Sequence, residues 1–329
     1  MTTDAAASNG RERPTAVVVL GAGRSGTSAL TRGLQALNID LGDNLRPPGG
    51  KNPTGFFEDQ DILALAQRLK RVLGIRGHNV CLLDDRVWQR PQVRALEQQA
   101  ARVIGERFGD APLWGFKYGR TLRTLPFWHQ VLTELDQDVR YVVALRNPLS
   151  VARSRIRLNP QRGRQVWSDL EWLVNVVPYF HLCRGQPVSV VDFDRLMADP
   201  RQQLERIGRD LSLSMGKETR AGIETYARDF VQPGMPRSRF SRADLEAHPQ
   251  VNHWVAEGYG LLDRVANDEM SIDDPEFWSR WASLQTAVEH LRPLLDEFDH
   301  MRGRLARAQW NPVSPAPAIR QVWRDLRNR

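Results

Sequence analysis

Several features that mark other protein classes are scarce in this chain of 329 residues. Its two cysteines, Cys81 and Cys183, lack CxxC spacing, which argues against a disulfide framework or zinc site and predicts that both lie in the core. The longest early apolar run, residues 16–20, is far shorter than the ~20 residues of a membrane helix. The first fourteen residues lack a signal-peptide pattern. These absences favour a cytoplasmic globular protein without a transmembrane segment.

Lysines are also scarce, and the histidines are not spaced as metal ligands. Only four lysines stand among the 46 basic residues, and the formal net charge is +7. Because the histidines show no metal-ligand spacing, no metal site is predicted for any of His78, His129, His181, His248 and His253. The cationic chemistry of the chain therefore rests mainly on arginine.

One segment of the chain concentrates this positive charge. Residues 140–164 contain seven arginines and no acid, at positions 140, 146, 153, 155, 157, 162 and 164. Such a segment is expected to meet an anion, although a solvated basic face without a ligand would have the same composition. No aromatic residue lies between Arg146 and Arg164, whereas nucleic-acid-binding segments interleave aromatic and basic residues. We therefore expect no nucleic-acid partner.

The hydrophobic pattern predicts the fold class. Short apolar or β-branched runs predict strands at residues 17–20, 113–117, 140–145 and 187–193. Helical periodicity follows the first run from Ser28 and recurs over residues 62–73 and 93–108. Strands that alternate with helices indicate an α/β protein with a three-layer, doubly wound, mainly parallel sheet. Ligands of such sheets bind outside the carboxyl ends of the strands.

The domain organisation follows from changes in composition. We predict a disordered tail at residues 1–14, an α/β domain at 15–268, a helical extension at 269–310 and a proline-rich, basic tail at 311–329. Apolar residues of the extension follow a 4-3-4-3 step that Pro293 interrupts. This helix is expected to pack on the main domain or on a second subunit, which makes a homodimer possible.

The turn after the first strand, "LGAGRSGTS", is similar to a nucleotide-binding P-loop. Gly21 and Gly26 keep the spacing of G-x-x-x-x-G-K-[ST], but Thr27 stands where the lysine belongs and the cation is Arg24. The loop still has several groups that bind anions: backbone amides, a helix N-terminus and the charge of Arg24. It also has the hydroxyls of Ser25, Thr27 and Ser28. The loop should bind one terminal anionic group without metal, unless it only tightens a strand-to-helix junction.

Two motifs together resemble a known family. "GRSGTS" resembles the 5′-phosphosulfate loop, and "ALRNPLSVARS" the 3′-phosphate motif, of sulfotransferases that use 3′-phosphoadenosine 5′-phosphosulfate (PAPS), particularly bacterial "RSGTS"-type members. The resemblance covers about residues 17–262 and implies a P-loop-like nucleotide fold with PAPS as co-substrate. It implies that Arg146 and Ser154 hold the 3′-phosphate. The implied loop residues are Gly23, Arg24, Ser25, Gly26, Thr27 and Ser28.

Local geometry supports the second motif independently. Arg146 ends a strand, Asn147 and Pro148 form the turn, and Ser150 is expected to cap the next helix. Arg146 and Ser154 can then converge on a phosphate near that helix. Two further segments resemble the family: "VSVVDFDRLMADP", with Phe193 where tyrosine is usual, and "NPTGFFED", which resembles the acceptor side.

Sulfuryl transfer requires stabilisation of the charge that develops on the leaving phosphate, and usually a base. Arg24 is the first electrostatic candidate, and Lys117, at the end of the strand "LWGFK", is the second. Lys117 could instead be a lysine that only extends from a strand end into solvent. Many relatives have Lys-Asp-Pro-Arg here, and cytosolic relatives have a catalytic histidine, whereas this chain has Lys-Tyr-Gly-Arg. Arg120 matches the family arginine.

Glu58 is therefore the preferred general base. A Gly-Phe-Phe turn precedes it and could hold its carboxylate in an apolar setting that raises its pKa toward neutrality. The alternative is that Glu58 caps the following helix, a role we assign to Asp59. Arg237 and Arg239 could form a lid over the nucleotide, or lie in a mobile surface loop.

Two other functions compete with this hypothesis. An ATP-dependent small-molecule kinase requires a loop lysine, which is missing, and a magnesium-holding acid after an apolar strand, for which Asp192 is a candidate. A nucleic-acid-binding protein would explain the basic charge without catalysis. The resemblance implies a hydroxylated acceptor, and composition does not choose among a carbohydrate, a lipid and a small molecule.

Overall fold

Four parallel strands form the sheet at the centre of the molecule. The computed structural model describes residues 13–49, 55–76, 79–230 and 240–310. Within these ranges the strands are β1 (Thr15–Gly21), β2 (Leu113–Lys117), β3 (Asp138–Leu145) and β4 (Val188–Asp192). They pair in the order β2-β1-β3-β4, and every pair is parallel. The prediction of an α/β fold with a parallel sheet is confirmed.

Helices fill the connections between the strands and follow β4. In chain order they are α1 (Thr27–Ala36), α2 (Gln60–Val72), α3 (Pro91–Phe108), α4 (Leu125–Glu134), α5 (Pro148–Ile156), α6 (Pro160–Gly163), α7 (Gln165–Val176), α8 (Phe193–Ala198), α9 (Pro200–Asp210), α10 (Lys217–Thr225), α11 (Arg242–Ala247), α12 (His253–Ala266), α13 (Pro275–His290) and α14 (Arg292–Trp310). Within the described ranges, none of these helices has the length and apolar character needed to cross a membrane.

The two faces of the sheet are both covered, which produces three layers. Successive side chains of a strand point to opposite faces, and β1 is almost fully buried on both. Val17 and Val19 pack in one hydrophobic cluster with α1, α9 and α10, whereas Ala16 and Val18 pack in the other with α2, α3, α4 and α12. Burial on both faces explains why β1 is a continuous apolar run rather than an alternating one.

The strand order places a crevice at the carboxyl ends of the strands, between β1 and β3. The chain crosses from β1 to β2 on one side and returns past β1 to β3 on the other. The loops that leave β1 and β3 therefore diverge, and ligands of doubly wound sheets bind at such a point. The loop after Gly21 and the segment after Leu145 both lie there.

The C-terminal helices pack on the main domain. Phe277, Trp281 and Leu284 of α13 are buried in the same cluster as β1 and α12. The helical run breaks between His290 and Arg292, so that Pro293 falls in the first turn of α14, where proline is tolerated. The homodimer through this helix stays a prediction, and the tail at 311–329 and most of the tail at 1–14 lie outside the described residues.

The two cysteines differ in burial. Cys183 is fully buried and its thiol is free, as predicted. The prediction that Cys81 also lies in the core is wrong, because it is half-buried and its sulfur accepts a hydrogen bond from Asn79. Cys81 belongs to the irregular segment between α2 and α3, and connecting segments run along the surface.

Candidate active site

The loop between β1 and α1 has an unusual backbone. Arg24 and Gly26 adopt left-handed conformations, with φ angles of 78° and 85°. Gly26 is the N-cap of α1, and no side chain among the described residues caps this helix. The first-turn amides of α1 are therefore available to an anion, which is the arrangement that phosphate-binding helix termini use.

Gly26 permits this backbone and a close contact with Phe193. A Cβ atom added at residue 26 would overlap the Phe193 ring. We expect Gly26→Ala to lower the free energy of unfolding by at least about 1–2 kcal/mol, because a left-handed residue with a Cβ is strained. Urea unfolding measures this effect.

Gly105→Ala is the matched control for that measurement. Gly105 lies within α3 on its solvent-exposed face, and a Cβ atom added there would meet no atom within 4 Å. Alanine should stabilise the helix at this position by about 0.5–1 kcal/mol. A Gly26→Ala variant as stable as the wild type would contradict the left-handed geometry of the loop.

Arg146 lies beside this loop at the end of β3. Its Nη1 donates a hydrogen bond of 3.4 Å to the carbonyl oxygen of Arg24, and its guanidinium stacks on the Phe193 ring at 4.4 Å. The Nε of Arg146 is buried without a hydrogen-bond partner in the part of the chain that the structure describes. Burial lowers the pKa of Arg146, while the Asp194 carboxylate opposes that shift. A buried guanidinium with a donor to spare suits an anion.

Ser154 joins the two motifs directly. The Nε of Arg24 donates a hydrogen bond of 3.2 Å to its Oγ. The structure thus brings together the loop, Arg146 and Ser154, although the two motifs are far apart in the chain. The predicted cap at Ser150 is wrong: Asn147 Oδ1 accepts the Leu149 amide at 3.0 Å and caps α5. The helix already begins at the proline that follows Asn147, so Ser150 lies inside it and is buried.

Lys117 and Glu58 form a buried ion pair at the end of β2. The Lys117 Nζ lies 2.9 Å from Glu58 Oε1, and it also donates to the Phe56 carbonyl oxygen at 2.9 Å and to Ser28 Oγ at 3.3 Å. Both side chains are less than a tenth exposed. Burial lowers the pKa of Lys117, although the Glu58 carboxylate opposes that shift. The pair is thus linked to the anion loop through Ser28.

A second cation changes the setting expected for Glu58. Arg46 Nη1 lies 3.1 Å from Glu58 Oε2, and the Arg46 guanidinium covers the Phe56 ring at 3.8 Å. The carboxylate is buried, but two cations surround it rather than the apolar pocket that the Gly-Phe-Phe turn predicted. The sequence carried no signal for Arg46, which is brought here by backbone pairing of its segment with the strand-like residues around Glu58.

Asp59 is the cap of α2, as predicted. Its Oδ1 accepts the amides of Asp61 and Ile62 at 3.0 and 3.1 Å, and its Oδ2 lies 2.8 Å from Arg107 Nη2. The hydrogen bonds of Glu58 go instead to the two cations. Of the two neighbouring acids, Glu58 is therefore the one that faces the site.

The arginines of residues 140–164 differ in their contacts and in their exposure to solvent. Arg140 pairs with Asp138 at the start of β3, far from the loop. Arg155 and Arg162 both pair with Glu171, and Arg155 also donates to the Gly23 carbonyl oxygen at 3.3 Å. The exposed remainder consists of Arg153, Arg157 and Arg164. Part of the positive charge of this segment is therefore paired with carboxylates of the protein. Arg155 also stabilises the loop through Gly23, a contact that the sequence spacing does not predict.

The remaining predicted residues are Asp192 and Arg120, which the structure describes, and several that lie outside the described ranges. Asp192 ends β4 and caps α8 by accepting the Arg195 amide at 3.0 Å, and burial raises its pKa to about 6. Arg120 is half-buried, and burial lowers its pKa. Arg237, Arg239, His78 and the Asn-Pro-Thr of "NPTGFFED" lie outside the described residues.

The fold and the site together define a class of protein. The chain is a doubly wound α/β protein with a P-loop-like turn, and its cationic and hydroxyl side chains gather where β1, β2 and β3 end. Neither a scan against protein-family models nor a search of curated proteins gave a match.

Several solved structures are similar to this chain. Sulfotransferase STF9 from Mycobacterium avium is 17% identical, with a TM-score of 0.44 over 79% of this chain and 77% of the other. Sulfotransferase STF1 from Mycobacterium tuberculosis H37Rv is also 17% identical, with a TM-score of 0.39 over 78% and 77%. The sulfotransferase domain of the Synechococcus PCC 7002 olefin synthase is 13% identical, with a TM-score of 0.38 over 84% and 96%. All three are described as sulfotransferases.

Proposed function

We propose that this protein is a sulfotransferase that moves the sulfuryl group of PAPS to a hydroxyl group of an acceptor. The observation that carries the proposal is the contact between the two anion motifs. Arg24 of the loop donates to Ser154, and Arg146 donates to the backbone of Arg24. A ligand with two separate anionic groups on one adenosine matches two such motifs in one crevice.

The residues present suit PAPS in two regions and its acceptor in a third. The amides and hydroxyls of the loop suit its 5′-phosphosulfate. Arg146, whose Nε has no hydrogen-bond partner among the described residues, and Ser154 suit its 3′-phosphate. Since the strand order is β2-β1-β3, Lys117 and Glu58 lie on the side of the loop opposite Arg146, where an acceptor would approach.

Each side chain then has a chemical task. The acceptor oxygen bonds to sulfur as the bond between sulfur and the 5′-phosphate oxygen breaks, and the Glu58 carboxylate takes the acceptor proton. Lys117 and Arg24 stabilise the negative charge that develops on the leaving phosphate. Lys117 also holds Glu58 in place through its hydrogen bond of 2.9 Å.

Arg146→Ala tests the nucleotide site without knowledge of the acceptor. We expect it to weaken binding of 3′-phosphoadenosine 5′-phosphate (PAP) by ~10- to 100-fold, because charge-assisted hydrogen bonds to the 3′-phosphate are lost. Isothermal titration calorimetry measures the affinity. Arg164→Ala, at an exposed position of the same segment, should bind PAP as the wild type does. Equal PAP affinity in Arg146→Ala would refute the assignment of the 3′-phosphate site.

Activity is tested by incubation with PAPS and a pooled panel of hydroxylated metabolites. A product that gains the mass of one SO₃ group supports sulfuryl transfer. Magnesium-dependent ATP binding tighter than PAP binding would favour the kinase hypothesis. That hypothesis has little support, because Thr27 replaces the loop lysine and Asp192 is engaged in capping α8.

The nucleic-acid hypothesis also has little support. Arg155 and Arg162 are paired with Glu171, so part of the positive charge of this segment is balanced within the protein. A filter-binding salt titration with DNA and RNA checks this point, since nucleic-acid binding would weaken steeply with salt.

A further inference from the structure

A cavity lies beside the Glu58 carboxylate, on the side away from Arg146. Its volume is about 390 Å³. The charged and aromatic residues that line it are Arg46, Glu58, Lys70, Arg71, Tyr118 and Arg120. Four of these side chains are cations and one is an anion. The cavity therefore keeps a net positive charge after Arg46 has paired with Glu58.

Two of the cations have no carboxylate partner in the part of the chain that the structure describes. Lys70 and Arg71 lie in the last turn of α2, and neither forms an ion pair with any residue in the described ranges. Lys70 is half-buried rather than extended into solvent. Burial and the nearby charge of Arg120 both lower the pKa of Lys70. A bound anion would relieve this repulsion between like charges.

The cavity adjoins the proposed transfer site. Gly119 and Arg120 line it and also line a smaller cavity of about 110 Å³ that includes Arg24 and Arg155. We call these two adjoining cavities the groove: one contains Arg24 of the anion loop, the other contains Lys70 and Arg71, and Arg120 lies between them. The two anionic groups of PAPS are accounted for by the loop and by Arg146, which leaves the cations at the far end of the groove without a ligand.

We infer that the acceptor hydroxyl belongs to a molecule that already carries an anionic group, a phosphate, carboxylate or sulfate, which Lys70 and Arg71 bind. This inference rests on the proposed function and specifies its acceptor class. The hydroxyl lies at Glu58 and Lys117, and the anionic group lies at the end of α2. Fixing the acceptor at both points orients its oxygen toward the sulfur.

Calorimetry with simple anions tests the inference. The protein is first titrated with PAP and then, with PAP saturating, with inorganic phosphate, glucose 6-phosphate and glucose. We expect both anions to bind, and glucose to bind at least about tenfold more weakly than glucose 6-phosphate. The double variant K70Q/R71Q should bind both anions about tenfold or more weakly than the wild type, with PAP affinity unchanged within about threefold.

Arg68→Gln is the matched control, because Arg68 is on the same helix but is bonded to Gln99 on the exposed surface. It should leave anion binding unchanged. The inference is overturned if neither anion binds saturably, if glucose binds as well as glucose 6-phosphate, or if K70Q/R71Q binds anions like the wild type. In the last case the two cations only complement the dipole of α2.

Failure of the proposed function has a different signature. If PAP does not bind, the anion titrations are repeated on the free protein. If K70Q/R71Q then loses anion binding and Arg68→Gln does not, anion binding by Lys70 and Arg71 is supported although the sulfotransferase proposal fails. Normal PAP binding with unchanged anion affinity in K70Q/R71Q would leave the sulfotransferase proposal intact and reject the anionic acceptor.

Discussion

Lys117→Met is expected to lower the free energy of unfolding by about 3–5 kcal/mol, because it breaks a buried ion pair by removing one partner. The ammonium is 4% exposed and bonds to Glu58 Oε1, the Phe56 carbonyl and Ser28 Oγ. Methionine fills the space but leaves Glu58 with Arg46 alone, which is 43% exposed. Urea unfolding followed by circular dichroism measures the loss.

A double-mutant cycle shows whether the pair itself is responsible. K117M/E58Q should be more stable than the sum of the two single effects predicts, by about 0.5–3 kcal/mol, because the unpaired buried charge is gone. Lys217→Met, at an exposed position that begins α10, should change stability by less than about 0.5 kcal/mol. Purely additive losses would show that Lys117 and Glu58 do not interact.

Arg24→Ala is expected to reduce kcat/KM for PAPS-dependent transfer by ~10²- to 10³-fold, the effect of removing one preorganised group that stabilises transition-state charge. Arg24 is the only cation within the loop, and its side chain reaches Ser154 in the second motif. The rate is measured with whichever acceptor the mass-spectrometric screen identifies, and PAP affinity is measured in parallel.

Arg153→Ala controls for a general loss of positive charge. Arg153 is exposed on α5, next to Ser154 in the chain, and should retain activity within about threefold of the wild type. Arg24→Lys should recover part of the rate, since it restores the charge without the planar donors. Wild-type activity in Arg24→Ala would remove Arg24 from the chemistry and leave Lys117 as the electrostatic candidate.

The local parts of the site could be predicted because their signals are short. A strand buried on both faces has a continuous apolar run, and such runs predict β1, β2, β3 and β4. Glycine at residue 26 indicates a backbone that other residues adopt only with strain, and the structure has it left-handed. Asp59 before an apolar helical run indicates a cap, and it is one.

The two errors have different causes. Ser150 is predicted to cap α5, but Asn147 is the N-cap, because its backbone is non-helical before a proline and its side chain accepts the Leu149 amide. Glu58 was expected in an apolar setting, but Arg46 is delivered to it by pairing of two irregular segments. The Asn147-Pro148 pair is a local signal for the first outcome, since asparagine is a favoured N-cap and proline is favoured at the first helical position. Spacing in the chain contains no information about the second outcome.

The amino-acid sequence by itself determined the parallel α/β architecture and the residues that end each strand, because hydrophobic runs and turn chemistry act over a few residues. Only the tertiary structure decided which of those ends face one another. The order β2-β1-β3 brings Lys117 and Glu58 to one side of the loop and Arg146 to the other, and the end of α2 adds the cations of the groove. Contacts of this kind depend on how distant segments pack, and packing reflects the whole core rather than any single motif.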